Sequence, residues 1–184
     1  MHTWSLPADD TTTLNVRPTR PVPLFVASNR PEGAREVGRQ ALSLLTLLSA
    51  SAESLAVLES RLREHRRGLE EGGHAPDSAE VAVALFAHVA ESAEQARAVA
   101  RPSFVKFADA HGVPDGASDY DTMEERGTAL LGDPDRAIET LHELAALGVD
   151  EAILWMSFGG LPVDELARSF ACLEQRVRPA LAIG

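Results

Sequence analysis

The chain has 184 residues, 45% of them hydrophobic and 24% charged, a balance that defines one globular domain with its own core rather than a disordered chain. Its formal net charge is -11, and Lys106 is the one lysine among 17 basic residues, which argues against a nucleic-acid surface or an anionic membrane as partner. Cys172 is the single cysteine, so an internal disulfide is excluded and a reducing compartment fits. The N-terminus lacks a signal-peptide core and no apolar run is long enough to span a bilayer, so a cytoplasmic soluble protein is expected.

Residues 1–23 are polar and punctuated by Pro18, Pro21 and Pro23, which predicts an extended arm rather than a helix. The domain proper is read over residues 24–184. Leu24 to Ala27 is an apolar run of strand length, and "NRPEGAREVGRQ" follows with Pro31 and Glu32 placed for a first helical turn. "ALSLLTLL" (Ala41 to Leu48) is a second strand. The helix after it opens near Ser51, keeps Leu55, Leu58, Leu62 and Leu69 at helical spacing, and stops at Gly72-Gly73. Within it, "RLREHRR" (Arg61 to Arg67) reads as a solvated basic face.

"AEVAVALFAHV" (Ala79 to Val89) is a third strand, followed by a helix from Ser92 to Ala110. "GVPDGASDYDTMEERG" is polar and predicts a loop with little structure of its own. In "GDPDRAIETLHELAALG", Asp133 suits the N-cap, Pro134 the first helical position and Gly148 the C-terminal cap, with Ile138, Leu141 and Leu144 on the inner face. "EAILWMSF" is the fourth strand. Its helix, Asp164 to Val177, sets Leu166, Phe170, Leu173 and Val177 on one face.

Strands that are apolar throughout are covered on both faces, the mark of a parallel sheet under helices. The class is therefore α/β, either an open sheet or half of a barrel, since an eight-unit barrel takes about 250 residues. Such a sheet leaves two edges unprotected.

The segment "GDPDRAIETLHELAALGVDEAILWMSFGGLPVDELARSFACLEQRVRPAL" resembles the closing part of the bacterial luciferase-like flavin-dependent monooxygenases: a Gly-x-Pro helix start, a helix ending in Gly-Val-Asp, a last barrel strand, a Gly-Gly-hydrophobic-Pro turn and a helix closing on Val-x-Pro. "RPTRPVPLFVASNRPEGAREVGRQALSLLTLL" resembles the fifth strand of that family and the helix after it. The resemblance implies a partial (β/α) barrel of about four βα units, corresponding to strands five to eight of a TIM barrel. Nothing before Pro18 resembles the first four, and no catalytic residue is carried over.

By that resemblance, Ser28, Asn29, Arg30 and Glu32 occupy the positions that bind the flavin phosphate, and Arg30 replaces the small hydroxyl residue usual there. A helix N-terminus offers amides and partial positive charge to such an anion, and Arg30 either pairs with it or fills its space. The same residues also read as a helix cap with surface decoration. Gly159 and Gly160 are either a tight strand-to-helix turn or a close approach to a ligand. Ser157 and Phe158 are taken with them as lining of a substrate pocket, against the alternative that Phe158 and Trp155 are core. Cys172 reads as a packing residue. The six histidines show no metal spacing, and no metal is assigned.

Two functions follow. One is an oxidoreductase or monooxygenase using FMN, or the deazaflavin F420, with reduced flavin from a separate flavin reductase. The other is a half-barrel that binds flavin weakly and pairs with itself, as a homo-oligomer, or with a longer relative. The substrate is not legible in the sequence.

Overall fold

The structure, a computed structural model, describes residues 19, 22–48, 54–112 and 120–181. Most of the arm expected over residues 1–23 lies outside them. The first strand, β1 (Phe25–Ala27), runs into helix α1 (Pro31–Arg39). Strand β2 (Ser43–Leu47) and helix α2 (Leu55–Glu71) form the second unit, and β3 (Val81–Val89) and α3 (Ala93–Ala110) the third. A short helix α4 (Tyr120–Arg126) and a short strand β4 (Leu130–Gly132) precede α5 (Pro134–Leu147), β5 (Glu151–Trp155) and α6 (Val163–Cys172).

All strand pairs are parallel. β1 pairs with β2 and β2 with β3, while β3 carries two neighbours on its far side: β5 along Ala82–Phe86 and β4 along Ala87–Val89. Parallel strands need helical crossovers, which is why the chain alternates as it does. The pleat sorts β3 into two faces. Val81, Val83, Leu85, Ala87 and Val89 join Leu44, Leu58, Leu62 and Leu144 in one core, and Phe86 joins Phe104, Phe107, Tyr120 and Phe158 in a second.

Helix ends follow the local chemistry. The Asp133 side chain accepts from the Arg136 N–H at 2.9 Å, and Gly148 closes α5 in the left-handed region at φ 91°. Helices α1 and α2 are joined by Arg35 and Arg39, both paired to Glu71, whose carboxyl their hydrogen bonds pull down to about 2.

Several expectations are corrected. The segment read as loop contains α4, because Tyr120 and Met123, three apart on one face, are buried in the aromatic core. The strand β4 was not foreseen. The "RLREHRR" face is not wholly solvated: Arg61 is 2% and His65 1% exposed, and both lie on the α2 face that carries Leu58, Leu62 and Leu69. The last helix is not uniform, since α6 passes into a π-helical turn (Leu173–Val177) and a 3₁₀ turn (Arg178–Leu181). Ser169, Cys172, Leu173 and Val177 are buried, and Phe170, expected on the inner face, is 58% exposed. Strand β5 is not covered on both faces either, with Ile153 45% and Trp155 42% exposed.

Candidate functional site at the strand-exit edge

In a parallel α/β sheet the loops at the C-terminal ends of the strands converge on one edge, and ligands bind there. Both residue groups singled out in the sequence lie on this edge. Ser28, Asn29, Arg30 and Glu32 follow β1, and Ser157, Phe158, Gly159 and Gly160 follow β5. They sit at opposite ends of the β1-β2-β3-β5 row. Three strand spacings separate them, about 14 Å at about 4.8 Å each, so they do not form one compact cluster.

The β1 loop is built from the inside. Asn29 Oδ1 accepts from the Leu47 N–H at 2.9 Å and from the Thr46 hydroxyl at 3.2 Å. Beneath it the buried Arg61 donates to the Leu47 carbonyl at 2.9 Å and to Thr46 Oγ1 at 3.3 Å. Asn29 therefore clamps the loop to β2, and α2 braces the clamp from below. Ser28 Oγ accepts from the Arg30 N–H at 3.4 Å and donates to the Arg30 carbonyl at 3.2 Å, a local turn.

Arg30 is the N-cap of α1 and gives no side-chain cap; the first backbone bond of the helix is Ala34 N–H to the Arg30 carbonyl at 3.0 Å. The Glu32 and Gly33 amides are thus first-turn donors with no partner four residues back. Arg30 is exposed, and its guanidinium has no ion pair among the described residues. This arrangement fits a phosphate: two amides, the positive end of a helix dipole and one uncommitted cation. The exposed Glu32 carboxylate does not fit an anion, so Glu32 serves through its backbone.

The β5 exit is a packed turn. Gly159 and Gly160 have φ of 56° and 72°, a region that costs other residues strain. A Cβ on Gly159 would lie 1.6 Å from the Ser103 carbonyl oxygen of α3, whereas one on Gly160 would meet nothing within 4 Å. Gly159 thus serves close approach to α3. Phe158 is 3% exposed and packs edge-on to Phe86 at 5.3 Å and to Phe104 at 6.2 Å. Trp155 stacks on Phe86 at 4.9 Å and donates its indole N–H to the Ser157 carbonyl at 2.9 Å. Its remaining surface is the aromatic face of this end that solvent reaches.

Sequence reasoning missed a third feature of the same edge. His88, the penultimate residue of β3, is 1% exposed and borders a cavity of about 740 Å³ between α3 and α6. Burial pushes its imidazole below the ordinary histidine value, against a smaller opposing pull from Glu165. The strand pattern carries no signal for this, because only the placement of α3 and α6 makes the cavity. Among the described residues no group of His, Cys, Asp and Glu could hold a metal, and no helix is long and apolar enough to cross a membrane.

A parallel sheet under helices, with its loops converging on one edge, is the architecture of flavin-binding barrels and open α/β sheets alike. The luciferase-like monooxygenase family matches residues 2–151, and the chain belongs to it. The match ends at the first residue of β5, before the Gly159-Gly160 turn. Among curated proteins none matches. Similar solved structures include the monooxygenase RslO1 from Streptomyces bottropensis, at 19% identity and TM-score 0.67, over 86% of this chain and 48% of that one. An F420-dependent secondary alcohol dehydrogenase in complex with an F420-acetone adduct aligns at 18% identity and TM-score 0.64, over 92% and 52%. The oxygenating constituent of 3,6-diketocamphane monooxygenase of Pseudomonas putida, in complex with FMN, aligns at 17% identity and TM-score 0.61, over 85% and 47%. The chain spans about half the length of these structures.

Proposed function

We propose that this chain is a half-barrel domain, residues 24–184 behind an arm of residues 1–23, that serves a cytoplasmic luciferase-like flavin-dependent oxidoreductase or monooxygenase. The observation that carries the reading is the β1 exit: an exposed Arg30 caps a helix whose first-turn Glu32 and Gly33 amides have no partner four residues back, on a loop that Asn29 fixes to β2. Ser28 and Asn29 shape that cradle, and Arg30 pairs with the cofactor phosphate. When bound, FMN supplied reduced by a separate flavin reductase contributes the chemistry that lets oxygen oxidise an organic substrate. F420, which also carries a phosphate, is the alternative occupant. Ser157, Gly159 and Gly160 shape the substrate side, and Phe158 backs it from the core. Titrating the purified chain into oxidised FMN, and separately into F420, while following fluorescence tests this. Saturable quenching weakened by Arg30→Ala supports it, and no quenching by a folded chain overturns it.

A second reading is favoured by the sheet edges. Val26 on β1 is 37% exposed, and Ile153 and Trp155 on β5 are 45% and 42% exposed, which leaves apolar surface on both outer strands. We propose that these edges meet a second half-barrel, in a homo-oligomer or on a longer relative. Sedimentation equilibrium of the wild type and of Ile153→Glu tests self-pairing: association lost in the variant supports it, and a wild-type monomer at all concentrations removes the homo-oligomer.

A further inference from the structure

The cavity between α3 and α6 is distinct from both groups of residues assigned above, and at about 740 Å³ it falls within the range of small-molecule sites. We propose that it is a binding site for an uncharged organic molecule carrying a carbonyl or hydroxyl oxygen, with His88 as its polar anchor. Three observations carry this. First, the His88 Nδ1 is buried without a hydrogen-bond partner, a state that leaves a donor or acceptor unsatisfied unless something meets the ring. Second, Val89, Val99 and Cys172 with alanines 98 and 171 form an apolar part of the wall, beside the uncharged amides of Gln95 and Gln175. Third, the charges at the rim are paired. Arg176 meets Glu91 at 3.1 Å, and Arg168 meets Glu165 at 3.2 Å and also Asp164, so every charge at the rim has an opposite partner and none is free for an ion.

Burial keeps the His88 imidazole neutral, with one ring nitrogen a donor and the other an acceptor. A ring of that kind serves a ketone through its N–H and an alcohol through its lone pair, whereas it gives a carboxylate or an ammonium nothing that repays their desolvation. Ser169, the other buried polar wall residue, already accepts from the Val89 N–H at 2.8 Å. The site needs no flavin and stands whether or not FMN binds at the β1 exit.

Cys172 is the single cysteine of the sequence and lines the cavity, so its conversion to a methyl disulfide, with release of methanesulfinate, reports occupancy. The test measures the rate at which methyl methanethiosulfonate modifies Cys172 in the full chain, with cyclohexanone, cyclohexanol, cyclohexanecarboxylate or cyclohexylamine present. The expected result is saturable protection by the ketone and the alcohol, and none by the two ions. His88→Phe, which keeps the bulk of the ring and removes its nitrogens, weakens protection about tenfold, the loss of one hydrogen bond. Ala98→Phe, at an exposed wall position, abolishes ligand-dependent protection even if His88→Phe fails to fold. Protection unchanged in His88→Phe, equal protection by the ions, or no protection in the folded wild type overturns the proposal.

Discussion

Replacing Gly159 and Gly160 one at a time by alanine separates two reasons for a glycine pair. Both residues have positive φ, and an alanine in that region costs about 1–2 kcal/mol. At Gly160 that is the whole effect, because a Cβ would meet nothing within 4 Å. At Gly159 the Cβ would also stand 1.6 Å from the Ser103 carbonyl oxygen, an atom of the α3 backbone that cannot rotate away. Moving α3 or the turn adds an overpacking cost of about 1–3 kcal/mol. Gly159→Ala therefore loses about 2–5 kcal/mol and Gly160→Ala about 1–2 kcal/mol. Urea unfolding followed by tryptophan fluorescence reads the difference, since each kcal/mol moves the midpoint by about 0.3–1 M at ordinary m-values. Equal shifts, or a larger one at Gly160, would refute the close approach and leave only turn conformation.

Asp133→Ala removes the side-chain acceptor for the Arg136 N–H and lowers stability by about 1 kcal/mol in the same assay. Asn29→Ala removes the acceptor of the Leu47 N–H, lowers stability by about 0.5–1.5 kcal/mol and slackens the β1 loop, whereas Arg30→Ala, at an exposed residue, leaves the unfolding midpoint unchanged and weakens FMN quenching. Acidification acts through His65 and His88, both held below their ordinary value of 6.5 chiefly by burial, with Arg66 adding to the fall at His65 and Glu165 opposing it at His88. The unfolded chain takes up those protons first, so stability is full above about pH 6.5 and falls toward the lowered folded values, by up to about 1.4 kcal/mol per pH unit for each ring. Urea midpoints that stay level between pH 7 and 5 would contradict this.

The alternation of strands and helices was legible because buried parallel strands and amphipathic helices have different periods, and Asp133, Pro134 and Gly148 sit at helix ends for local reasons. The parts that escaped depend on distant partners. Only the aromatic cluster around Phe86 selects α4, since two apolar residues in an acidic stretch carry no period of their own. β4 is three residues long, too short for a pattern, and exists because the end of β3 has a free side. Arg61 and His65 were obscured by composition rather than by spacing: with Leu58, Leu62 and Leu69 they make one helical face, and Arg61 Nη1 donates there to Thr46 and Leu47. At the candidate site, residue types pointed to a loop but not to the division of labour within it, because nothing local shows that Asn29 bonds to β2.

That division bounds how tightly the β1 exit would hold a flavin under the proposed function. A helix N-terminus contributes about 0.3–1 kcal/mol to an anion at the surface, and a charge-assisted bond from Arg30 about 1.5–3 kcal/mol. Their sum, at most about 4 kcal/mol, corresponds to a dissociation constant of about 1 mM. Micromolar binding needs about 8 kcal/mol, so about half would have to come from contacts to the ring system. Trp155 is the exposed aromatic at the far end of the edge, about three strand spacings from Arg30, and Phe158 is already committed to the core. FMN titration is therefore expected to give a millimolar constant for the protomer and a tighter one only where the chain associates, measured across a hundredfold range of protein concentration. A micromolar constant independent of protein concentration would mean that Trp155 or its neighbours already form a ring pocket, and would refute an edge that holds only the phosphate.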